Sequence, residues 1–536
     1  MQFLGLLAIL LSWFAYANAY NFLVVCPIWA YSHIKFMNKV ADTLADGGHS
    51  VTLLQTYHVE HWGRKVRLTK NKNIKIIDYH LTENEKVDDK VTASAHKYLW
   101  NTEYLNNALG AIAPMFVLYK EFTPVCEKIY TDKTLHKMLL ELKFDGYVAE
   151  AFDFCSLYLG DHLKLNLLPM FSSIKNVPAS RAIGEPSLLN YAPTLHTHYG
   201  AEQTLWDRVQ DITMVTSFYY AFSKLFDRQY NQANSLMNGD VRHWTVILQN
   251  ATFFFYNSNP YIQYPMPRLE KSVEIGGFTI GAPKSEKVNE EYDSILNLRN
   301  STVLISFGTV VLSSDMPDNF KNGVIKTFTS LPDTTFIWKY EETDREALKK
   351  LNVPDNVILK KWIPQPELLA DDRLNLFVTH GGLGSTLEVA YSGKPSIMIP
   401  IFGDQLINAK MLSRHGGSVV YNKYDLDDSE KLTRTIQDVL SSESIHSSAK
   451  RLAEILRNQP FDPKTNLLRH AEFSARFGSV ESLQPYSVNY NFIQYYMLDA
   501  YVVIILAISL FVYIGHLVTM RVVRKCSGEK KTDKVE

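Results

Sequence analysis

Chemistry concentrates between Trp362 and Asn408. The run His380-Gly381-Gly382-Leu383-Gly384-Ser385 follows an apolar stretch, Leu374 to Thr379, and leads into a helical pattern near Thr386. Glycines let a chain turn tightly and let a ligand approach the backbone, while the free amides of a helix start attract anions. A diphosphate suits that turn, with hydrogen bonds from His380 and the Ser385 hydroxyl. In open parallel sheets ligands sit at such strand ends. Ser385-x-x-Glu388 is also the pattern of a capping box, in which both side chains serve only the helix. Trp362 ends another apolar run, and Gln365 lies three residues on. Together they offer an aromatic face for a base and an amide for its edge, stacking being worth about 1–3 kcal/mol. Asp404-Gln405, after the next strand, can hydrogen-bond hydroxyls.

A hydroxyl nucleophile needs a base on the side opposite such an anion site. His33 has that placement, just past the first apolar run, in Pro27-Ile28-Trp29-Ala30-Tyr31-Ser32-His33. A solvent-facing histidine at a helix start is the plain alternative. Phe144-Asp145-Gly146-Tyr147-Val148-Ala149-Glu150 supplies carboxylates, and Asp153 follows three residues later.

The stretch from Trp362 to Asn408 resembles the signature of the UDP-glycosyltransferase family, to which the membrane-anchored UDP-glucuronosyltransferases of animals belong. The resemblance implies that Trp362 and Gln365 hold uracil, His380 contacts the diphosphate within the turn of Gly381, Gly382, Gly384 and Ser385, Glu388 binds ribose, and Asp404 and Gln405 read the sugar. Ser306-Phe307-Gly308-Thr309 is similar to the family's donor-side loop, bringing Ser306, Gly308 and Thr309 into the same set. His33 lies in a segment similar to the family's catalytic-histidine loop. There the family pairs the histidine with an aspartate, whereas this chain has Glu150; Glu150 and Asp153 are the two candidate partners, and Asp145 reads as structural. The implied fold is GT-B, α/β, with two doubly wound Rossmann-like domains facing a cleft. The implied reaction is inverting transfer of glucuronate or glucose from a UDP-sugar co-substrate to a small lipophilic acceptor, without metal or cofactor. Asp425-Leu426-Asp427 has the DxD spacing of metal-dependent transferases, but capping and solvation account for it. Pro265-Met266-Pro267-Arg268 before Gly276-Gly277 leaves a partner for a glucuronate carboxylate unassigned. A dedicated glycolipid-forming transferase and a catalytically silent lipophile-binding homologue are the alternatives. A nicotinamide dehydrogenase is disfavoured, because no GxGxxG follows the first strand.

These groups require two sheets to position them. From Thr302 onward, short β-rich runs alternate with helical patterns: Val303–Ser306, Thr335–Trp338, Val357–Lys360, Leu374–Thr379, Ser396–Pro400 and Ser418–Tyr421. That rhythm is a parallel sheet wrapped by helices. The N-terminal part starts alike, with a strand at Phe22–Cys26, a helix at His33–Ala45 with Phe36, Val40 and Leu44 on one face, and a strand at Ser50–Gln55. The domain reading is a signal peptide over 1–19, an acceptor-binding domain over 20–281, a UDP-sugar-binding domain over 282–465, a segment over 466–498 returning to the first domain, a transmembrane helix over 499–520 and a basic cytosolic tail over 521–536. Between Val59 and Leu142, and from Ser187 to Trp244, the pattern loosens and aromatics such as Phe218, Tyr219, Tyr220 and Phe222 gather, as in a ligand-facing wall, with core filling the equal alternative for any one of them.

Of 536 residues, 46% are hydrophobic and 21% charged, which is ordinary globular composition at a length favouring two lobes. With 55 basic against 56 acidic residues there is no broad positive field for nucleic acid. Four cysteines, Cys26, Cys126, Cys155 and Cys526, are too few for a disulfide framework, and a Cys126–Cys155 bridge is left open. An apolar run over 3–15 followed by Ala17-Asn18-Ala19 has the form of a secretory signal. The later apolar span precedes Arg521, Arg524 and Lys525, so the positive-inside bias puts the bulk of the chain in the lumen, as a single-pass type I protein. Residence in the endoplasmic reticulum membrane rests on the resemblance. Asn250 and Asn300 head sequons compatible with lumenal glycosylation. Homo- or hetero-oligomers in the membrane stay open.

Overall fold

The computed structural model describes residues 19–58, 67–81, 99–100, 108–175, 177–186, 203–280, 288–342 and 350–528. Most of the signal segment, residues 281–287 and the tail from 529 lie outside the described residues.

The first lobe is a seven-stranded parallel sheet made of β1 (Asn21–Ile28), β2 (Ser50–Tyr57), β3 (Lys75–Tyr79), β4 (Gly146–Glu150), β5 (Leu167–Phe171), β6 (Phe254–Tyr256) and β7 (Ser272–Glu274). Their order is β3-β2-β1-β4-β5-β6-β7. Central strands β1, β4 and β5 are buried along nearly their whole length, as expected of a sheet covered by helices on both faces. The second lobe has six strands: β8 (Ser301–Ser306), β9 (Thr334–Lys339), β10 (Val357–Lys360), β11 (Leu374–Thr379), β12 (Ser396–Met398) and β13 (Ser418–Val420). Their order is β10-β9-β8-β11-β12-β13. In each sheet the order reverses once, between β1 and β4 and between β8 and β11. Crevices for ligands open at such switch points, outside the carboxyl ends of the strands.

Helix Pro463–Phe477 places Leu467 and Ala471 in the first-lobe core beside Phe22 and Val24, although its sequence position follows the second lobe. Gly47 lies against the Leu468 side chain, and His49 Nε2 lies 3.2 Å from Glu472 Oε1.

Phe218 and Phe222 take the core-filling alternative: they belong to helix Leu205–Leu236, opened by a Thr204/Asp207 capping box, and sit in the first-lobe core with Phe226. Trp100 crosses into the second-lobe core, where its indole N–H donates to Leu312 O at 2.9 Å and its ring meets Phe307. Cys126 and Cys155, left open by sequence, are joined in a disulfide linking helices Ala108–Thr131 and Phe154–His162.

Residues from Gln484 onward form a separate unit. Its main feature is helix Leu498–Gly528, long and apolar enough to cross a membrane. The helix runs past the anticipated end at residue 520 and takes in Arg521, Arg524 and Lys525.

Candidate active site

The donor side is built at the switch between β8 and β11. After Thr379 the chain turns through His380 and Gly381, whose φ of +82° is a conformation only glycine adopts without strain, and enters helix Leu383–Ser392. The His380 ring is slotted between two other glycines. A Cβ on Gly308 would lie 2.7 Å from its Cε1, and one on Gly382 would lie 2.6 Å from its Nε2. Burial, with the nearby Lys339 charge, pushes the His380 pKa down to about 3, so the imidazole is neutral at physiological pH. A Cβ added at Gly384 would meet nothing within 4 Å, so open space adjoins the helix start.

The capping-box alternative is not adopted. Gly382 is the N-cap, and Ser385 and Glu388 lie inside the helix. Gln365, which opens helix Gln365–Ala370, donates through Nε2 to Ser385 Oγ at 3.0 Å and to Glu388 Oε2 at 2.6 Å. The other oxygen of Glu388 takes Lys35 Nζ, from the first lobe, at 2.8 Å. Burial alone would lower the Lys35 pKa, but attraction to Glu388 outweighs it and raises it. Trp362 is 56% exposed, an unusual state for an indole, with the Tyr31 ring edge-on at 5.3 Å and Lys339 Nζ 5.9 Å from its centroid.

Around β8, Ser306 Oγ accepts from the amide of Gly308, and Thr309 is half-buried in the same turn. Lys339, at the end of β9, donates to Gly308 O and pairs with Glu341 at 3.0 Å. Sequence reasoning passed over Lys339, although a lysine ending the strand beside β8 is placed to reach an anion at the turn. Asp404 accepts from Asn408 Nδ2 at 2.9 Å. Burial raises its pKa, and the hydrogen bond from Asn408 is the main effect countering the rise. Gln405 spends its carbonyl oxygen on the amides of Ile401 and Phe402, at 2.8 and 3.0 Å, which leaves its amide nitrogen to offer a ligand.

The acceptor side lies at the switch between β1 and β4. His33 sits in the first turn of helix Tyr31–Asp46. Its Nδ1 is 2.9 Å from Ser172 Oγ and 3.5 Å from Glu150 Oε2. Glu150 ends β4, is fully buried, and accepts through Oε1 from the Ser172 amide at 3.2 Å and hydroxyl at 3.1 Å. Asp153 is placed otherwise: it caps helix Phe154–His162, accepting from the Cys155 amide at 3.0 Å and from the Ser156 hydroxyl. Burial raises its pKa to about 6. Of the two candidates, Glu150 therefore adjoins the histidine. Ser172 was missed. Its signal was topological, since β5 is the neighbour of β4 and Ser172 directly follows it. The rings of Trp29, at 4.3 Å, and Phe152, at 5.9 Å, flank His33 and give the acceptor side an aromatic surface.

Other sequence candidates serve the fold. Asp145 accepts from the Asn21 amide at 2.8 Å, Asp425 pairs with Lys431 at 2.5 Å, and Arg268 pairs with Glu274. His58, Asp153 and Cys155 cluster tightly, but the Cys155 sulfur is in the disulfide and is no thiolate ligand. Asn300 is exposed; Asn250 is half-buried, with the Thr252 hydroxyl of its sequon donating to Gly478 O.

UDP-glucuronosyltransferase 3A1 of Xenopus laevis is 25% identical over 544 residues, covering 98% of each chain. Human UDP-glucuronosyltransferase 1A6 is 24% identical over 506 residues, covering 93% of this chain and 91% of its own. Among solved structures, Medicago truncatula UGT71G1 complexed with UDP-glucose superposes with a TM-score of 0.56 at 14% identity, over 85% of this chain and 98% of that one. The two lobes thus have the GT-B glycosyltransferase fold. Residues 21–533 match the family described as UDP-glucoronosyl and UDP-glucosyl transferase, and the chain belongs to that family of UDP-glycosyltransferases.

Proposed function

We propose that the chain transfers a hexose, glucose or glucuronate, from its UDP-sugar to a hydroxyl of a small lipophilic acceptor, with inversion at the anomeric carbon. The observation that carries this reading is the placement of His33. It stands at the switch point of one lobe, beside a buried carboxylate and between two aromatic rings, on the helix whose Lys35 pairs with Glu388 of the second lobe.

Trp362 and Gln365 receive the uracil, Glu388 the ribose hydroxyls, and the turn from His380 to Ser385 the diphosphate; Ser306, Gly308 and Thr309 close the same side. His33 Nε2 takes the acceptor proton as the acceptor oxygen bonds to C1, and the C1–O bond to UDP breaks with its electron pair leaving on the diphosphate. The helix amides stabilise that charge. Asp404 and Gln405 take sugar hydroxyls, and the Asp404 carboxylate gives uncharged glucose the lower electrostatic cost beside it. Family members use the UDP-sugar as co-substrate, with no cofactor. The apolar helix ending in basic residues supports anchoring as a single-pass type I protein of the endoplasmic reticulum, with the catalytic lobes lumenal and a role in conjugating lipophilic compounds for disposal.

The test is His33→Ala in membranes supplied with labelled UDP-glucose or UDP-glucuronate and a panel of phenols. Product should vanish while UDP binding persists. Retained turnover would discard His33 as the base, and product from only one donor would name the sugar.

A further inference from the structure

We propose that Ser172 is a positioning residue of the transfer reaction, relaying Glu150 to His33 and holding the imidazole in the tautomer that can act as a base. The proposal rests on the reading of His33 given above. His33 and Glu150 do not hydrogen-bond directly, because their 3.5 Å separation exceeds the N–H···O range. The Ser172 hydroxyl lies between them, 2.9 Å from Nδ1 and 3.1 Å from Oε1.

A hydroxyl has one proton to donate. A fully buried carboxylate demands donors, and the Ser172 hydroxyl and amide both reach Oε1. With its proton committed to Glu150, Ser172 Oγ can only accept from His33, which fixes the proton on Nδ1 and leaves the Nε2 lone pair for the acceptor hydroxyl. The reverse tautomer would require Ser172 to donate to Nδ1, stripping the buried carboxylate of a donor and placing a proton on Nε2, where it blocks proton abstraction. During transfer Nε2 gains the acceptor proton and Nδ1 keeps its own. No proton reaches Glu150, whose charge, 3.5 Å from Nδ1, stabilises the imidazolium while the serine fixes the ring.

The backbone holding this hydroxyl is fixed independently. Asn257 Nδ2 donates to Ser172 O at 3.1 Å, and the Asn257 amide donates to Phe171 O at 2.9 Å. Removing the hydroxyl therefore leaves the loop in place.

The experiment compares Ser172→Ala, Ser172→Thr and His33→Ala by steady-state kinetics over pH 5 to 9, with melting curves to verify folding. In Ser172→Ala, kcat should fall roughly 10- to 100-fold, in keeping with loss of alignment at a reacting group, with the UDP-sugar KM unchanged within about twofold. The acidic limb of kcat/KM should move to lower pH, because the imidazolium loses the hydroxyl oxygen that accepts its Nδ1 proton, while the Glu150 charge stays 3.5 Å away. Asp404, and Lys35, which is two residues on from His33 and paired with Glu388, are retained in every variant. Ser172→Thr, which keeps the hydroxyl, should recover activity to within about fivefold of wild type, since the tautomer is again fixed. A Ser172→Ala enzyme with normal kcat, or with reduced kcat and an acidic limb unmoved or raised, overturns the proposal. If His33→Ala turns over normally, the base assignment fails instead, whatever Ser172→Ala does.

Discussion

Lys35 Nζ lies 2.8 Å from Glu388 Oε1, an ion pair joining the helix that carries His33 to the helix that follows the glycine turn. Because Gln365 holds the other oxygen of Glu388 at 2.6 Å, both carboxylate oxygens are engaged before any nucleotide arrives. A ribose that hydrogen-bonds Glu388 must share or displace these partners.

Lys35→Met frees one of them. UDP affinity should rise about three- to tenfold, equivalent to roughly 1 kcal/mol for a partly exposed pair. Isothermal titration of UDP checks this, and unchanged or weakened binding would show that Lys35 supports nucleotide binding instead of opposing it.

Glu150 and Asp153, three residues apart, should separate cleanly by phenotype. Glu150→Gln keeps the shape of the side chain but removes the charge facing His33, so kcat should fall about 100-fold with little change in melting temperature. Asp153→Ala removes a helix cap, which costs about 1–2 kcal/mol and lowers the melting temperature by a few degrees while kcat per folded enzyme is maintained. Equal effects of the two changes on kcat would contradict the geometry.

The legibility of this chain in sequence followed chain distance. Helices alternating with buried runs disclosed both parallel sheets, and the Trp362 to Asn408 stretch exposed the donor side because its parts lie on successive strand ends of one sheet. Glu150 was visible but not separable from Asp153, since the deciding facts are a cap made to the Cys155 amide and a hydroxyl arriving from β5. Ser172 and Lys339 act across neighbouring strands that are distant in the chain, so no spacing pointed to them. Trp100 carried no local sign that it fills the opposite lobe. Helix Leu205–Leu236 did carry a local sign, the Thr204/Asp207 capping box, but its many aromatics masked the helical period.

The Cys126–Cys155 bond spans a sequence separation of 29. Closing a loop of that size restricts the unfolded chain by about 3.6 kcal/mol in the chain-entropy account. Mild reduction should therefore lower the melting temperature, and Cys126→Ala/Cys155→Ala should melt like the reduced protein and no longer respond to reductant. A melting temperature insensitive to reductant would mean that the bond is absent.

His58 offers a test of buried charge by pH. It is buried beside Phe122, with ring centroids 4.1 Å apart, and burial lowers its pKa to about 3. An unfolded histidine titrates near 6.5. Above that pH neither state holds the proton, and the stability that comes from keeping His58 neutral is fully present. As pH falls below 6.5 the unfolded chain gains a proton that the folded chain refuses, and stability declines until pH approaches 3. One proton of difference amounts to about 1.4 kcal/mol per pH unit. Asp153, raised to about 6 by burial, works in the opposite direction between its unfolded value near 3.9 and 6, so absolute stability is a poor readout and a difference is needed. His58→Phe leaves Asp153 in place and removes only the histidine. Between pH 6 and 4.5, wild type should lose about 1.4 kcal/mol more per pH unit than His58→Phe in urea titrations. Parallel stability curves for the two proteins would show that His58 takes up its proton in the folded state.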